Sequence, residues 1–182
     1  MKMKHASYEF ETMSPSELMV YLNGRHYPAV NRLMDQIDLH LSAMLRMDAG
    51  VHASFFKLNS EYRELSVLVK YHLQRNEEFL FPFIYRTLEE GLDNFKHLDN
   101  FEKELTGLHD SHMRMRLLLA SLSECSQGYK PEPEATESKY VVYSELHSLE
   151  GYLYRQFYLE DVLLVQKVNT VLFQSFSQFY IE

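Results

Sequence analysis

The sequence predicts an all-α protein, an up-down-up-down antiparallel four-helix bundle, and three observations lead to this prediction. The chain has 182 residues but only 6 glycines and 5 prolines, so its elements are few and long. Apolar residues recur at alternating steps of three and four along four stretches, which is the spacing of one helix face. Turn-forming residues separate these stretches at 48–50, near Gly91 and across 126–139. Four long helices with short connections pack as an antiparallel bundle.

Composition and charge narrow the class of protein. Charged residues make up 24% of the chain and hydrophobic residues 46%, and the length suits one domain, 1–182, with a short N-terminal extension at 1–13. The net charge of -8 argues against nucleic acid and anionic membranes as partners. No apolar run approaches the roughly 20 residues of a membrane span, and no signal peptide is evident, so we expect a cytoplasmic protein.

The first helix has a clear start. Ser14 can cap it, Pro15 occupies the first helical position, and Glu17 completes a capping box. Pro28 falls inside the helical pattern, and because the pattern continues to about Met47 we expect this proline to bend the helix without ending it. The core-facing stripe of this helix comprises Met19, Leu22, His26, Ala29 and Leu33.

The other three helices carry similar stripes of core-facing residues. The second stripe comprises Tyr62, Leu65, Val69, His72, Asn76, Phe79 and Phe83. The third comprises Leu98, Phe101, Leu105, Leu108, His112, Met115, Leu119 and Leu122, with His109 at its edge. The fourth comprises Val142, Leu146, Leu149, Leu153, Gln156, Glu160 and Leu163.

Polar residues interrupt every stripe at a similar height. They are His26 on the first helix, His72 and Asn76 on the second, His109 or His112 on the third, and Gln156 and Glu160 on the fourth. Each group lies about 18 to 24 residues from the nearest break, so at about 1.5 Å per residue the groups meet in one layer. An ionised carboxylate at Glu160 is costly to bury without a partner. The residues therefore predict either a metal site or a hydrogen-bonded polar network.

Four segments resemble the motifs of hemerythrin-like domains, most closely those of the di-iron proteins that repair iron–sulfur clusters. "HLQRNEEFLFPFI", which begins at His72, resembles the second-helix motif H-x-x-x-E-E-x-x-L-F-P. "LHDSH" resembles the third-helix E-H-D and puts the ligand on His109, whereas "QFYLEDVLL" resembles the fourth-helix H-x-x-L-E-N-x-x-L-F and puts a carboxylate on Glu160. "GRHYPAV" resembles the first-helix histidine motif at His26. The resemblance covers about residues 15 to 165.

This resemblance implies a four-helix bundle that holds non-haem iron through four histidines and two bridging carboxylates. Two positions depart from the family pattern. Asn76 stands where the family has a bridging glutamate, and Gln156 stands where it has a histidine. The resemblance therefore implies an incomplete ligand set, with His26, His72, His109 and Glu160 as the principal metal ligands. Asn76, Gln156, His112 and Glu77 are the secondary candidates.

Charge favours one metal ion over a di-iron centre. Two divalent ions bring four positive charges, and a single carboxylate returns one negative charge, while a neutral amide cannot bridge as a carboxylate does. A set of two histidines and one carboxylate suits one iron, manganese or zinc ion. A site without any metal is the next alternative. Pro82 removes one helical hydrogen bond, and a π-bulge there could turn Glu77 inward as a second carboxylate.

The predicted function is that of a hemerythrin-like, iron-binding protein of the oxidative or nitrosative stress response or of iron–sulfur centre repair. The alternative is a metal-free bundle that acts as a partner-binding or regulatory module. Aromatic residues in excess on the fourth helix indicate either a homodimer or protein-partner face there or packing against the neighbouring helices. They are Tyr152, Tyr154, Phe157, Phe173, Phe176, Phe179 and Tyr180. No nucleophile motif accompanies the single Cys125, so the sequence designates no catalytic residue and leaves open whether the protein is an enzyme.

Overall fold

A computed structural model describes residues 9–47, 53–90 and 95–179, and within these ranges the protein is helical with no strand. The all-α class predicted from the sequence is therefore confirmed. A short helical turn at 9–12 precedes four long helices. Two of the predicted breaks, at 48–50 and at Gly91, lie outside the described residues. The third is a loop between Cys125 and Glu137 that contains turns closed by backbone hydrogen bonds.

Three of the four helices contain an internal π-helical segment. Helix α1 consists of Pro15–Tyr21, the π segment Leu22–His26 and Tyr27–Met47. Helix α2 consists of Ala53–Arg75, the π segment Asn76–Leu80 and Phe81–Glu90. Helix α3 spans Phe95–Cys125 without interruption. Helix α4 consists of Glu137–Phe157, the π segment Tyr158–Leu164 and Val165–Phe179.

The start of α1 forms as the sequence predicts. The Ser14 hydroxyl accepts a hydrogen bond from the backbone N–H of Glu17 at 3.2 Å, and the Glu17 carboxylate accepts one from the N–H of Ser14 at 2.8 Å. Pro15 follows at the first helical position. The capping box is confirmed, and a cap of this kind stabilises a helix by about 1 kcal/mol.

Two of the π segments accommodate prolines. The backbone N–H of Tyr27 donates to the carbonyl of Leu22, and the N–H of Phe81 donates to the carbonyl of Asn76, so each bond spans five residues. Pro28 and Pro82 come one residue later and have no N–H to donate. The wider turn lets each helix continue past its proline, as was expected for Pro28.

The π segments also change which residues face the core. A regular helix puts Phe79 on the core stripe of α2, but Phe79 is 63% exposed and Leu80 is fully buried. A π turn holds one more residue than an α turn and therefore advances the following stripe by one position. Ile84 accordingly replaces the partly buried Phe83. The prediction of Phe79 as a core residue is wrong for this reason.

The same one-residue advance occurs in α1. The regular spacing predicts Ala29 and Leu33 on the core face, yet both are only partly buried. The fully buried residues that follow the π segment of α1 are Val30, Met34, Ile37 and Leu41. The stripe of α1 before the segment, by contrast, follows the prediction at Met19 and Leu22.

Contacts between the helices show their relative directions. From Tyr27 to His40 along α1, the bonded partner in α4 moves back from Glu160 to Glu145, so α1 and α4 are antiparallel. Helix α2 also lies against α1, where the Tyr62 hydroxyl donates to a backbone carbonyl of α1 at 2.8 Å. Helix α2 further packs against α3, and α3 contacts α4. These contacts enclose one continuous apolar core.

Among the described residues, no helix has both the length and the apolar character required to cross a membrane.

Candidate metal centre

Each of the three π segments contains a buried polar residue. His26 is the last residue of the π segment of α1, Asn76 is the first residue of that of α2, and Glu160 lies in that of α4. All three side chains are buried. Single π turns within α-helices are frequent at functional sites because they redirect side chains without ending the helix.

Three side chains converge on one point in the interior. The Nε2 atom of His72 and the Nε2 atom of His112 each lie 2.8 Å from Oε2 of Glu160. The two nitrogens are 3.2 Å apart. The side chains are 3%, 0% and 0% exposed, respectively, so bulk water does not separate them. The convergence joins α2, α3 and α4.

Tyr27 and Asn76 complete the surroundings of the carboxylate. The Tyr27 hydroxyl donates to Oε1 of Glu160 at 2.7 Å, which leaves Oε2 to face the two imidazoles. The side-chain nitrogen of Asn76 lies 3.0 Å from the Tyr27 oxygen and 3.3 Å from Oε2 of Glu160. Its amide oxygen has no hydrogen-bond partner. Helix α1 thus contributes a phenol to the site.

The outer nitrogens of the two imidazoles face different groups. Nδ1 of His72 lies 3.1 Å from the hydroxyl of Ser111, and Nδ1 of His112 lies 2.7 Å from Oδ1 of Asp161. Partners of this kind fix the orientation of a histidine ring and hence the direction of its Nε2. Both Nε2 atoms are directed at Glu160 for this reason.

Opposing effects set the pKa values in the site. Burial alone would raise the pKa of Glu160, but the charge of His72 and hydrogen bonds from His112 and His72 outweigh it and hold the pKa well below its usual range. Burial lowers the pKa of His112, yet its hydrogen bonds to Asp161 and Glu160 more than reverse this and raise the pKa to about 9. In this hydrogen-bonded arrangement Glu160 is ionised and His112 is protonated.

These three side chains fit one divalent metal ion. Two imidazole nitrogens and one carboxylate oxygen are donors that iron, manganese and zinc accept. Donor atoms about 2.1 Å from one ion and about 90° apart are separated by about 3.0 Å. The observed separations are 2.8, 2.8 and 3.2 Å. Without a metal ion, both Nε2–H groups would instead donate to the same oxygen, Oε2 of Glu160, with the two nitrogens only 3.2 Å apart.

The structure does not bring His109 into the site. Its side chain is exposed, whereas His112, one turn later on α3, is fully buried. The expectation that His109 faces the interior is wrong, because the core stripe of α3 runs through Leu108, His112 and Met115. The apolar period of the sequence already contained His112. The short motif resemblance at "LHDSH" selected the neighbouring histidine instead.

His26 and Gln156 are buried but stand apart from the convergence. Among the described residues, one group of His, Cys, Asp and Glu side chains is close enough to share an ion, and it contains His72, His112 and Glu160. Nε2 of His26 and both amide atoms of Gln156 lack a hydrogen-bond partner. Burial is the main cause that lowers the pKa of His26 to about 4, which keeps the ring neutral.

Glu77 remains outside the site although the π-bulge forms. Asn76–Leu80 is π-helical, which is the distortion considered at Pro82. Asn76 nevertheless keeps the buried position and Glu77 is exposed. The extra residue of the π turn turns Leu80 inward, and Glu77 stays in water, where its charge needs no buried partner.

Tyr27 and Asp161 were not anticipated from the sequence. Tyr27 follows His26 directly, and a regular helix would direct it about 100° away from that histidine. Both side chains are buried because the π segment ends between them. Asp161 follows Glu160 in the same manner inside the π segment of α4. In both cases a second polar residue directly follows a polar residue of the core stripe, and this pairing could have pointed to Tyr27 and Asp161.

Fold and site together define an all-helical protein with a buried histidine–histidine–glutamate group able to hold a metal. No protein-family model matches the chain. The chain is similar to the iron-sulfur cluster repair protein ScdA of Staphylococcus haemolyticus, with 22% identity over 152 residues. The match covers 84% of this chain and 66% of that protein, so it spans just under two-thirds of the relative's length. This distant similarity supports the family resemblance of the motifs.

Proposed function

We propose that the chain is a hemerythrin-like, up-down-up-down antiparallel four-helix bundle that binds one non-haem metal ion through His72, His112 and Glu160. The observation that carries the proposal is the convergence of two Nε2 atoms and one carboxylate oxygen within 2.8–3.2 Å in a buried core. Iron is the first candidate because the similar protein is an iron-sulfur cluster repair protein. Manganese and zinc suit the same donors.

Charge and geometry favour one ion over two. The position between His72 and Glu160 holds the neutral amide of Asn76, which cannot bridge two cations as a carboxylate does. The remaining candidates for a second ion, His26 and Gln156, offer one imidazole and one amide and no negative charge. A second divalent ion there would lack the charge balance that desolvation demands.

The residues around the site would exclude water from a bound ion and orient its carboxylate ligand. Bound iron supplies redox chemistry and positions for a small ligand. Burial of the donor atoms excludes bulk water, and Tyr27 holds Oε1 of Glu160 by a 2.7 Å hydrogen bond so that Oε2 alone faces the histidines. A role in the oxidative or nitrosative stress response, or in iron–sulfur centre repair, in the cytoplasm, follows as the proposed biological setting.

Metal analysis tests the proposal directly. Protein produced in iron-supplemented cells is analysed for metal per chain, together with His72→Ala, His112→Ala and Glu160→Ala. His109→Ala is the matched control, because it removes an exposed histidine from the same helix as His112. We expect about one ion per chain in the wild type and in the control, and a loss of at least tenfold in affinity in the other variants.

Two outcomes contradict the proposal in different ways. Two ions per chain would show that the charge argument for a single ion fails. No bound ion, with thermal stability unchanged by added Fe(II), Mn(II) or Zn(II), would remove the metal-binding function.

A metal-free bundle is the second candidate, and one observation favours it. Glu160 already receives hydrogen bonds from Tyr27, His72 and His112, so its charge is compensated within the protein. The function would then lie at the surface as a partner-binding or regulatory module or a homodimer. Exposed apolar residues on α4 suit such a surface, and they are Tyr152, Tyr154, Tyr158 and Val162.

Not all of the aromatic residues singled out on the fourth helix belong to such a surface. Phe157 is buried against the ring of His112, with ring centroids 4.7 Å apart, and does not contribute to it. The side chains of Phe173, Phe176, Phe179 and Tyr180 lie outside those that the structure describes. Light scattering of the wild type and of Tyr154→Ser with Tyr158→Ser tests the surface, because a homodimer through α4 requires the double variant to become monomeric.

A further inference from the structure

We propose that Asp161 is a positioning residue that selects His112 as the metal ligand of α3 and brings a second negative charge to the single-ion site. This inference rests on the proposed metal-binding function. The Asp161 side chain does not itself face the three donor atoms of the site; it acts through its contact with His112.

The contact between the two side chains fixes which imidazole nitrogen is free. Oδ1 of Asp161 lies 2.7 Å from Nδ1 of His112. An ionised carboxylate only accepts hydrogen bonds, so Nδ1 of His112 carries the proton. An imidazole that binds a metal has given up one of its two protons, and because Nδ1 keeps its proton toward Asp161, the lone pair is then on Nε2, the atom that faces Glu160 and Nε2 of His72. Asp161 therefore orients the ring and selects its ligating tautomer.

Further contacts keep Asp161 in place. Oδ2 of Asp161 accepts a hydrogen bond from Arg116 at 3.4 Å. The guanidinium of Arg116 lies over the ring of Phe157 at 4.7 Å, and that ring packs against the ring of His112. The four side chains form a closed set around the outer edge of His112. Position 109 does not meet Asp161, because its side chain is exposed on α3.

The π segment of α4 explains how neighbouring residues serve one site. In a regular helix Glu160 and Asp161 would diverge by about 100°. Within the segment Tyr158–Leu164, Glu160 contacts Nε2 of His112 and Asp161 contacts Nδ1 of the same ring. One imidazole is thus held between two adjacent carboxylates. Together they bring two negative charges toward a divalent ion, although only Glu160 is a ligand and Asp161 shares its charge with Arg116.

The two histidines of the site differ in their support. Nδ1 of His72 faces the neutral hydroxyl of Ser111 at 3.1 Å, whereas Nδ1 of His112 faces a carboxylate. A carboxylate partner makes the opposite nitrogen a stronger donor, and loss of such a partner lowers metal affinity by about 10- to 100-fold. Removal of Asp161 should therefore weaken metal binding more than removal of the Ser111 hydroxyl.

Titration with Co(II) tests the inference, because its absorption bands report the donor set as well as the affinity. The variants are Asp161→Asn, Asp161→Glu and Ser111→Ala, with Asp110→Asn as the control for charge at an exposed position of α3. We expect Asp161→Asn to raise the Kd for Co(II) by about 10- to 100-fold and to shift the bands. We expect Asp161→Glu to recover affinity and Asp110→Asn to match the wild type.

The outcomes separate this inference from the proposed function. Wild-type affinity and an unchanged spectrum in Asp161→Asn would overturn the role of Asp161 and leave the metal site intact. Equal losses in Asp161→Asn and Asp161→Glu, in step with lower thermal stability of the ion-free protein, would assign Asp161 a structural role only. No Co(II) binding by the wild type would overturn both. If Asp161→Asn does not fold, Asp161→Ala takes its place, and a Kd for Co(II) no higher than that of Ser111→Ala overturns the inference.

Discussion

The hydroxyl of Tyr27 donates a hydrogen bond to Oε1 of Glu160 at 2.7 Å, which ties helix α1 to the buried carboxylate of α4. Both side chains are buried. Burial and the charge of Glu160 raise the pKa of Tyr27 well above its usual value, so the phenol keeps its proton and remains a donor. A second buried tyrosine, Tyr62, donates to the neutral carbonyl of Met34 at 2.8 Å and offers a matched comparison.

Replacement of these tyrosines by phenylalanine should therefore have unequal effects. We expect Tyr27→Phe to lower the free energy of unfolding of the ion-free protein by about 1.5–3 kcal/mol, because a charged buried acceptor loses a donor. Tyr62→Phe should cost about 0.5–1.5 kcal/mol. Urea denaturation of the ion-free variants measures both quantities. A cost for Tyr62→Phe equal to or larger than that for Tyr27→Phe would contradict the assigned role of the Tyr27 hydroxyl.

A carboxylate at position 76 should have effects of opposite sign in the absence and presence of a metal ion. The side-chain nitrogen of Asn76 lies 3.3 Å from Oε2 of Glu160, so Asn76→Asp places two negative charges side by side. Without an ion, we expect a lower melting temperature, since close like charges repel by several kcal/mol at an effective dielectric constant of about 20. With added Fe(II) or Zn(II), the rise in melting temperature should exceed that of the wild type.

Thermal unfolding with and without the ion measures this difference. Gln74→Glu, which makes the same amide-to-carboxylate change at an exposed position of α2, is the control and should leave the ion-induced rise at the wild-type value. An ion-induced rise in Asn76→Asp no greater than in the wild type would show that position 76 does not reach the bound ion.

The one-residue advance at the π segment of α2 predicts which of two adjacent residues, Phe79 or Leu80, contributes more to the free energy of unfolding. Leu80 is fully buried and Phe79 is 63% exposed. We expect Leu80→Ala to lower the free energy of unfolding by about 2–5 kcal/mol. Phe79→Ala should change it by about 0.5 kcal/mol or less. A regular helix predicts the reverse order, so urea denaturation of this pair decides whether the π turn exists in solution.

His26 should make the protein less stable in acid. Burial lowers its pKa to about 4 and outweighs the opposing charge of Glu160, while the charge of Arg155 adds a lesser lowering. The unfolded chain therefore binds a proton at His26 between about pH 6.5 and pH 4 while the folded protein does not. Stability contributed by the neutral ring is present above about pH 6.5 and falls as the pH decreases toward 4, by roughly 3 kcal/mol at most.

Comparison of His26→Gln with the wild type isolates this effect. We expect the ion-free variant to lose less free energy of unfolding between pH 7 and pH 4.5 than the wild type. His147→Gln, at a side chain that is 73% exposed, is the control and should follow the wild-type slope. Equal slopes for His26→Gln and the wild type would show that His26 takes up its proton without cost in the folded state.

The residues of the site show how far sequence reasoning extended. The spacing of apolar residues led to His72, Asn76, Gln156 and Glu160 as buried polar positions, and all four are buried. The same spacing contained His112, but motif resemblance directed the ligand assignment to His109, which is exposed. The spacing of apolar residues indicates which positions are buried, because the buried face of a helix is the one that requires apolar side chains. A three-letter motif match has no such physical constraint, so it was the weaker guide.

The sequence by itself determined the helical class, the capped start of α1 and the presence of polar side chains in the interior, because these depend on local spacing and local hydrogen bonds. Tertiary structure alone decided which side chains the π turns bury and the one-residue advance that exposes Phe79. It also decided the meeting of Tyr27, His112 and Glu160, and the contact of Asp161 with His112. A π turn costs a helix regular hydrogen bonds, and only packing against neighbouring helices compensates for that loss.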